Sequence, residues 1–143
     1  MTTTLTTTGV TGESLSRRRV ALLRAAYGFV GVGLVVGRWP RLLDASDLPR
    51  YEGTTLALLG GMSVLMLLGL RHPTRMLPML VFESLWKLIW LGLVGLPLLL
   101  SGDLDDGTSE TLVNCLFVVP VLVAVPWGHV WRTYVVARGE AWR

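Results

Sequence analysis

Four long apolar runs limit what this chain can fold into more than any single motif does. They fall at about residues 20–37, 54–70, 76–100 and 112–130. Each is roughly 17–25 residues long, the length that crosses about 30 Å of hydrocarbon at about 1.5 Å per helical residue. Lipid offers no water to backbone N–H and C=O groups, so runs of this kind must close their hydrogen bonds internally, as helices. The expected fold is all-α: an integral membrane, up-down four-helix bundle over residues 19–135, multi-pass in the cell membrane and in contact with the lipid bilayer.

Composition supports the same reading. The chain has 143 residues, 52% of them hydrophobic and 16% charged, and its mean hydropathy is +0.56. Soluble domains average about 25% charged residues. The apolar excess is gathered into the runs, which argues for membrane spans over one packed soluble core. Residues 1–18 are rich in Thr, Ser and Gly, with too few apolar side chains to offset the entropy of ordering, and are expected to form a flexible tail. Residues 136–143 are expected to form a cytoplasmic tail.

Charge between the runs sets the orientation, because short cytoplasmic segments carry an excess of Lys and Arg. Arg17, Arg18 and Arg19 precede the first run, and Arg71 and Arg75 lie between the second and third. Arg132, Arg138 and Arg143 follow the fourth, against Glu140. The other two connections differ. One mixes Arg38, Arg41 and Arg50 with Asp44, Asp47 and Glu52; the other holds Asp103, Asp105, Asp106 and Glu110 without a base. Four crossings put every basic segment on one side, with the N-terminus and C-terminus cytoplasmic. Three crossings would break the pattern.

Smaller features fit this map. Trp39 and Tyr51 on one side, and Trp127, Trp131 and Tyr134 on the other, form the expected interfacial belt. Residues 38–53 read as a segment lying on the outer face of the bundle. Gly33 and Gly37 form a GxxxG pair, with Gly28, Gly31, Gly60 and Gly61 as further small residues that let helices approach. Pro97, Pro120 and Pro126 each remove a backbone donor and should kink or end a helix. Asn114 and Cys115 read as helix-contact residues.

Chemistry is concentrated in the third run, in Phe82-Glu83-Ser84-Leu85-Trp86-Lys87-Leu88-Ile89-Trp90. Glu83 and Lys87 are ionisable residues inside the hydrocarbon, where an isolated charge costs at least about 2.5–3.5 kcal/mol. Their i, i+4 spacing, with the acid first, is the better order for a helical ion pair. Trp86 and Trp90 lie on or beside the same face. Two readings stay open. The pair neutralises itself and fixes the rotation of the helix, or it binds a ligand or moves a proton, with Glu83 and Lys87 as catalytic groups and Trp86 and Trp90 lining a pocket. Arg24, in the first run, lies at the depth of Glu83 and is expected to face the bundle and reach it, with Tyr27 one turn further in; the alternative is that Arg24 snorkels to the headgroups.

The chain also resembles a known family. Leu22-Leu23-Arg24-x-x-x-Gly28, then Glu52 ahead of Leu59-Gly60-Gly61-x-x-x-Leu65-x-x-Leu68-Gly69-x-Arg71, are similar to the DoxX-like small four-helix membrane proteins over roughly residues 20–100. The resemblance implies an up-down four-helix bundle and, for some members, association with quinone-linked or thiol-linked oxidoreductases. Arg24 is the residue it carries over, as a bundle-facing polar group. The chain departs from the group in residues 82–90 and in Pro126-Trp127-Gly128-His129-Val130-Trp131, and its single cysteine leaves it no dithiol.

The sequence has no HExxH, no Cys/His cluster, no CxxC and no GxxxxGK[ST] motif, so neither a metal nor a cofactor is expected. Scattered basic residues give nucleic-acid binding no support. The leading expectation is a non-catalytic subunit or partner of a membrane complex, or a homo-oligomer. The alternative is an embedded acid/base enzyme (isomerase, cyclase or hydrolase) that takes a lipophilic small molecule through Glu83 and Lys87. A transporter is the third reading. A cavity at Glu83, Trp86 and Trp90 would favour the enzyme, a tightly packed pair the structural role, and a continuous wet path transport.

Overall fold

The computed structural model describes residues 15–137, all helix and connections. Helix α1 (Arg17–Leu43) is capped by Ser16, whose hydroxyl accepts from the Arg19 N–H at 3.4 Å. After a short turn at Ala45–Asp47 comes α2 (Arg50–Arg71). Helix α3 (Leu77–Ser101) is followed by Gly102, whose φ of 78° is left-handed and suits glycine. Helix α4 (Asp106–Ala124) is capped by Asp105, which accepts from the Thr108 N–H at 2.9 Å. A last short helix, α5 (Trp127–Val130), runs on into a wider-pitched segment, Trp131–Val136.

The four helices α1 to α4 are each long and apolar enough to cross a membrane. Only 22–33% of each apolar window is buried within the chain. A soluble bundle turns charged faces outward; this one turns out Leu43, Leu58, Leu93, Leu100 and Val123. Such a surface requires contact with lipid.

Several boundaries differ from the sequence reading, for local reasons. Arg17 and Arg18 belong to α1 and not to the N-terminal tail, because Ser16 caps the helix ahead of them. The rest of that tail, residues 1–14, and residues 138–143 of the C-terminal tail lie outside the described residues. Helix α1 also runs through Trp39 and Pro40 to Leu43, so this part of the connection is helix and not a segment lying on the bundle. Trp39 donates to the buried Ser63 at 3.0 Å, which ties the end of α1 to α2. The fourth span starts earlier and ends at Ala124 rather than Val130. Pro126 disfavours helical geometry at the preceding residue, and Val125 is extended (ψ 125°).

The other prolines bend without ending. Pro97 would clash with the carbonyl of Leu93 in a regular helix. The π-type turn at Leu91–Gly95 stands just ahead of it and keeps α3 continuous. Pro120 stands against Leu116 in the same relation, and α4 breaks its regular winding at Phe117.

Helices α1 and α2 form an antiparallel hairpin, and the ring closes through α3 and α4 back to α1. One end, here the basic end, holds the start of α1, the α2–α3 connection and the end of α4. The core lies toward it: Leu23, Ala26, Tyr27 and Val30 of α1 meet Met66, Leu77, Leu80, Val121 and Ala124. The Tyr27 ring lies on Gly69, where a Cβ would overlap it, and its hydroxyl donates to the Pro73 carbonyl at 3.0 Å. Toward the other end, the acidic end, α1 and α2 stay in contact, with Leu42 against Gly60 and Trp39 bonded to Ser63, while a cavity opens toward α3 and α4.

Candidate functional site

The site begins with the spacing of residues on α3. One helical turn separates Glu83 from Trp86 and Lys87, so all three share a face. That face turns inward: Glu83 is 0% and Lys87 8% exposed. Lys87 Nζ stands 2.7 Å from Glu83 Oε1, and Trp86 Nε1 donates to Glu83 Oε2 at 2.8 Å. The ammonium also lies 5.7 Å from the centre of the Trp86 ring, within cation–π range. Oε1 meets the ammonium closely but receives no well-angled hydrogen bond. We treat that contact as an ion pair only, because the distance is short while the direction is poor.

This cluster forms the base of a cavity of about 270 Å³. Helix α1 contributes Phe29, Val30, Gly33, Leu34, Gly37 and Arg38, and α2 contributes Leu59. Helix α4 contributes Glu110, Asn114 and Phe117. Arg38 and Glu110 sit near the acidic ends of their helices, so the cavity runs from Glu83 and Lys87 toward that end. Phe29 and Phe117 meet edge to face, with centroids 5.7 Å apart at 67°, and close the seam between α1 and α4. Both rings are about half exposed on their outer side.

Neither a family model, a curated protein nor a solved structure matches this chain. Its site therefore rests on its own geometry.

The sequence-identified residues divide. Glu83, Lys87 and Trp86 come together at the cavity. Trp90 does not join them; its ring lies over Gly95 of the π-type turn, with the Leu112 side chain beside it. Tyr27 faces the bundle as expected, but in the packed core and bonded to Pro73. Arg24 is exposed, and among the described residues it has no ion pair or hydrogen bond, so the expected contact with Glu83 is absent. The reason is angular. Leu23, Tyr27 and Val30 form the buried stripe of α1, and Arg24 lies about 100° round the helix from Leu23.

Gly33 and Gly37 also differ from expectation. A Cβ at either would meet nothing within 4 Å, so this GxxxG pair opens the cavity instead of bringing helices together. Close approach belongs to Gly31 against Met66 and Leu67, to Gly60 against Leu42, and to Gly69 against Tyr27.

Arg38, Glu110 and Asn114 are the residues that sequence reasoning did not group with the pair. One signal was available: Glu110 and Asn114 are i, i+4 polar residues, and Asn114 stands among the apolar residues that follow the polar start of α4. Among the described residues, none of the three has a side-chain hydrogen bond or ion pair. Lys87 adds N–H donors that Glu83 does not use. The lining therefore leaves N–H donors unused on Lys87, Arg38 and Asn114, and acceptors unused on Glu110 and on the Asn114 amide oxygen. Among the described residues, no group of three or more His, Cys, Asp or Glu residues is placed to hold a metal ion.

Proposed function

We propose that this chain is a small multi-pass protein of the cell membrane, of DoxX-like type, that holds a lipophilic molecule by its polar end. It acts as a non-catalytic subunit or partner in a membrane complex, with both termini in the cytoplasm. The observation that carries this reading is the cavity with Glu83, Trp86 and Lys87 at its base. A pair that served packing alone has no need of open space beside it, and cores normally close such gaps. The carboxylate already accepts from Trp86 and pairs with Lys87, which leaves Lys87 to meet a ligand.

Co-purification in mild detergent tests this reading. Mass spectrometry should find a stoichiometric small molecule with the wild-type chain, and a membrane-protein partner or a homo-oligomer. Gly37→Leu, which fills the cavity, should lose the small molecule. A chain that purifies alone, with only bulk lipid, would overturn the proposal.

Orientation has its own test. In a Cys115→Ser background, Asp106→Cys should label from outside and Thr74→Cys from inside. The reverse pattern would refute cytoplasmic termini.

A second reading keeps one supporting observation. Glu83 Oε1 has no hydrogen bond and stands at the cavity, as an acid or base acting on a lipophilic substrate would. Acid/base catalysis predicts that Glu83→Gln retains the bound molecule but no longer converts it, so that the mass of what co-purifies changes.

A further inference from the structure

Resting on the ligand-site reading, we propose that the cavity takes the carboxylate head of a single-chain amphiphile, whose hydrocarbon tail leaves into lipid between α1 and α4. Three observations lead to this class of ligand: the charge of the lining, the count of unused donors, and the wall that faces the lipid.

The lining holds two cations and two acids, but they differ in depth. Glu83 and Lys87 cancel each other at 2.7 Å. Arg38 is half-buried and lines the same space, with no ion pair among the described residues. Glu110, the remaining acid of the lining, is exposed at the acidic end, where water screens it. The enclosed part therefore keeps one uncompensated cation. An ammonium head would meet Lys87 and Arg38 with the wrong sign. A purely apolar head would leave buried donors unfilled, which is unfavourable.

Hydrogen-bonding capacity points the same way. Lys87 and Arg38 only donate, and the Asn114 amide adds two further N–H groups. Glu83 accepts from Trp86 at Oε2, and its Oε1, which has no hydrogen bond, is held by the charge of the Lys87 ammonium. Away from Glu110 at the rim, the lining offers more free N–H donors than acceptors, and a carboxylate supplies acceptor sites alone when ionised. Charge-assisted bonds of this kind are the stronger ones.

The wall and the volume define the rest of the molecule. Val30, Leu34 and Leu59 make the interior apolar above the pair. Phe29 and Phe117 separate it from lipid by one edge-to-face contact, with no hydrogen bond across the seam to break. About 270 Å³ is slightly below the range of about 300–1,000 Å³ that encloses whole drug-sized ligands. A head and the first carbons fit, and a chain must continue outward through the seam. A two-chain phospholipid has no room for its second chain.

Trp86 supplies the readout. The full chain in neutral-lipid nanodiscs is titrated with dodecanoate brominated near mid-chain, and the fluorescence loss of a Trp86→Phe variant is subtracted. Saturable quenching of Trp86 is expected. Unlabelled dodecanoate should displace the probe, while methyl dodecanoate and dodecylammonium should compete at least about tenfold more weakly. Arg38→Gln should weaken binding roughly tenfold, Arg38→Lys should restore part of it, and Gly37→Leu should abolish it. Glu110→Gln, which removes the carboxylate at the rim, should tighten binding. Each variant is first required to elute monodisperse with unchanged helicity; Arg38→Lys replaces Arg38→Gln as the test if the latter does not fold.

If the ester competes as well as the acid and both are lost in Gly37→Leu, the cavity is a ligand site but the carboxylate class is wrong. A preference for the ammonium, or loss of binding in Glu110→Gln, overturns the class in the same way. Quenching that does not saturate with any probe, or that ignores Gly37→Leu, means partition into bulk lipid, and the ligand-site reading falls with this one.

Discussion

The two halves of the bundle solve opposite problems with the same kinds of residue. Between α1 and α2 glycine brings helices together: Tyr27 lies on Gly69, Gly31 admits Met66 and Leu67, and Leu42 lies on Gly60. Toward the acidic end, Gly33 and Gly37 stand in open space and line a cavity. The polar groups divide in the same way. In the packed half, the Tyr27 hydroxyl is satisfied by a backbone carbonyl, and Arg24 is turned out of the bundle. In the open half, Arg38 and Asn114 line the space with their donors unused, and Lys87 shares the cavity floor with Glu83. A glycine or a buried charge in a span therefore has no meaning until its facing helix is known. Here α2 lies close to Gly31 on one face of α1, while Gly33 and Gly37 on another face open onto the cavity.

The largest expected effect comes from the charge pair at the boundary between the halves. Removing one member of a buried pair typically costs about 3–5 kcal/mol, because the other charge is left uncompensated. Lys87→Met should therefore sharply lower folded yield in membranes, read by fluorescence-detected size exclusion. Glu83→Leu with Lys87→Met should recover much of that loss. The bound molecule then separates the roles. If yield and ligand both return in the double variant, the pair is structural and the cavity does not need it. Harmless Lys87→Met would mean that the two side chains are not coupled.

Glycine substitutions test the comparison itself. Gly69→Leu should cost about 1–3 kcal/mol or more by overpacking against Tyr27, seen as a fall in thermal midpoint in detergent. Gly37→Leu should cost nothing, and gain up to about 0.8 kcal/mol, since Leu is the better helix former and its Cβ meets no neighbour. Equal destabilisation by both would mean that the acidic end packs as tightly as the basic end.

These contrasts also show what the sequence could reveal. Four helices were legible because run length alone decides whether a segment can cross a bilayer. The Glu83–Trp86–Lys87 cluster was legible because all its contacts lie within one helical turn. Whatever depends on two helices was not. Arg24 and Tyr27 are near neighbours on α1, yet the buried stripe passes through one and misses the other. Trp90 shares a helix with the pair but lies at the π-type turn, where the change of winding takes it onto Gly95. Arg38, Glu110 and Asn114 come from distant parts of the chain and meet Lys87 only through the ring order of the helices. Pro126 was recognised as a breaker, but the hydropathy of the following residues carried the expected span past it.

The smallest effect expected concerns the start of α4, at the rim of the open half. Hydrogen bonds from Thr108, side chain and backbone, hold the Asp105 carboxyl below its ordinary value. A group whose folded value is depressed stabilises the folded state above its unfolded value, and the contribution is lost as pH falls through the folded one. The unfolded value for aspartate is about 3.9. Asp105→Ala should therefore lower the thermal midpoint slightly at neutral pH, and the gap to wild type should begin to narrow below about pH 3.9 and close as the pH falls through the lower folded value. Asp105 is fully exposed, so the gap at neutral pH should be small. The same substitution should affect the cavity more than the core, because α4 carries Glu110 and Asn114 on the turns that follow the cap. Ligand retention falling in Asp105→Ala while the thermal midpoint hardly moves would show that the cap serves the open half. A midpoint that falls as far as it does in Gly69→Leu would show that the two halves unfold as one unit, and that the looseness of the acidic end has no energetic counterpart.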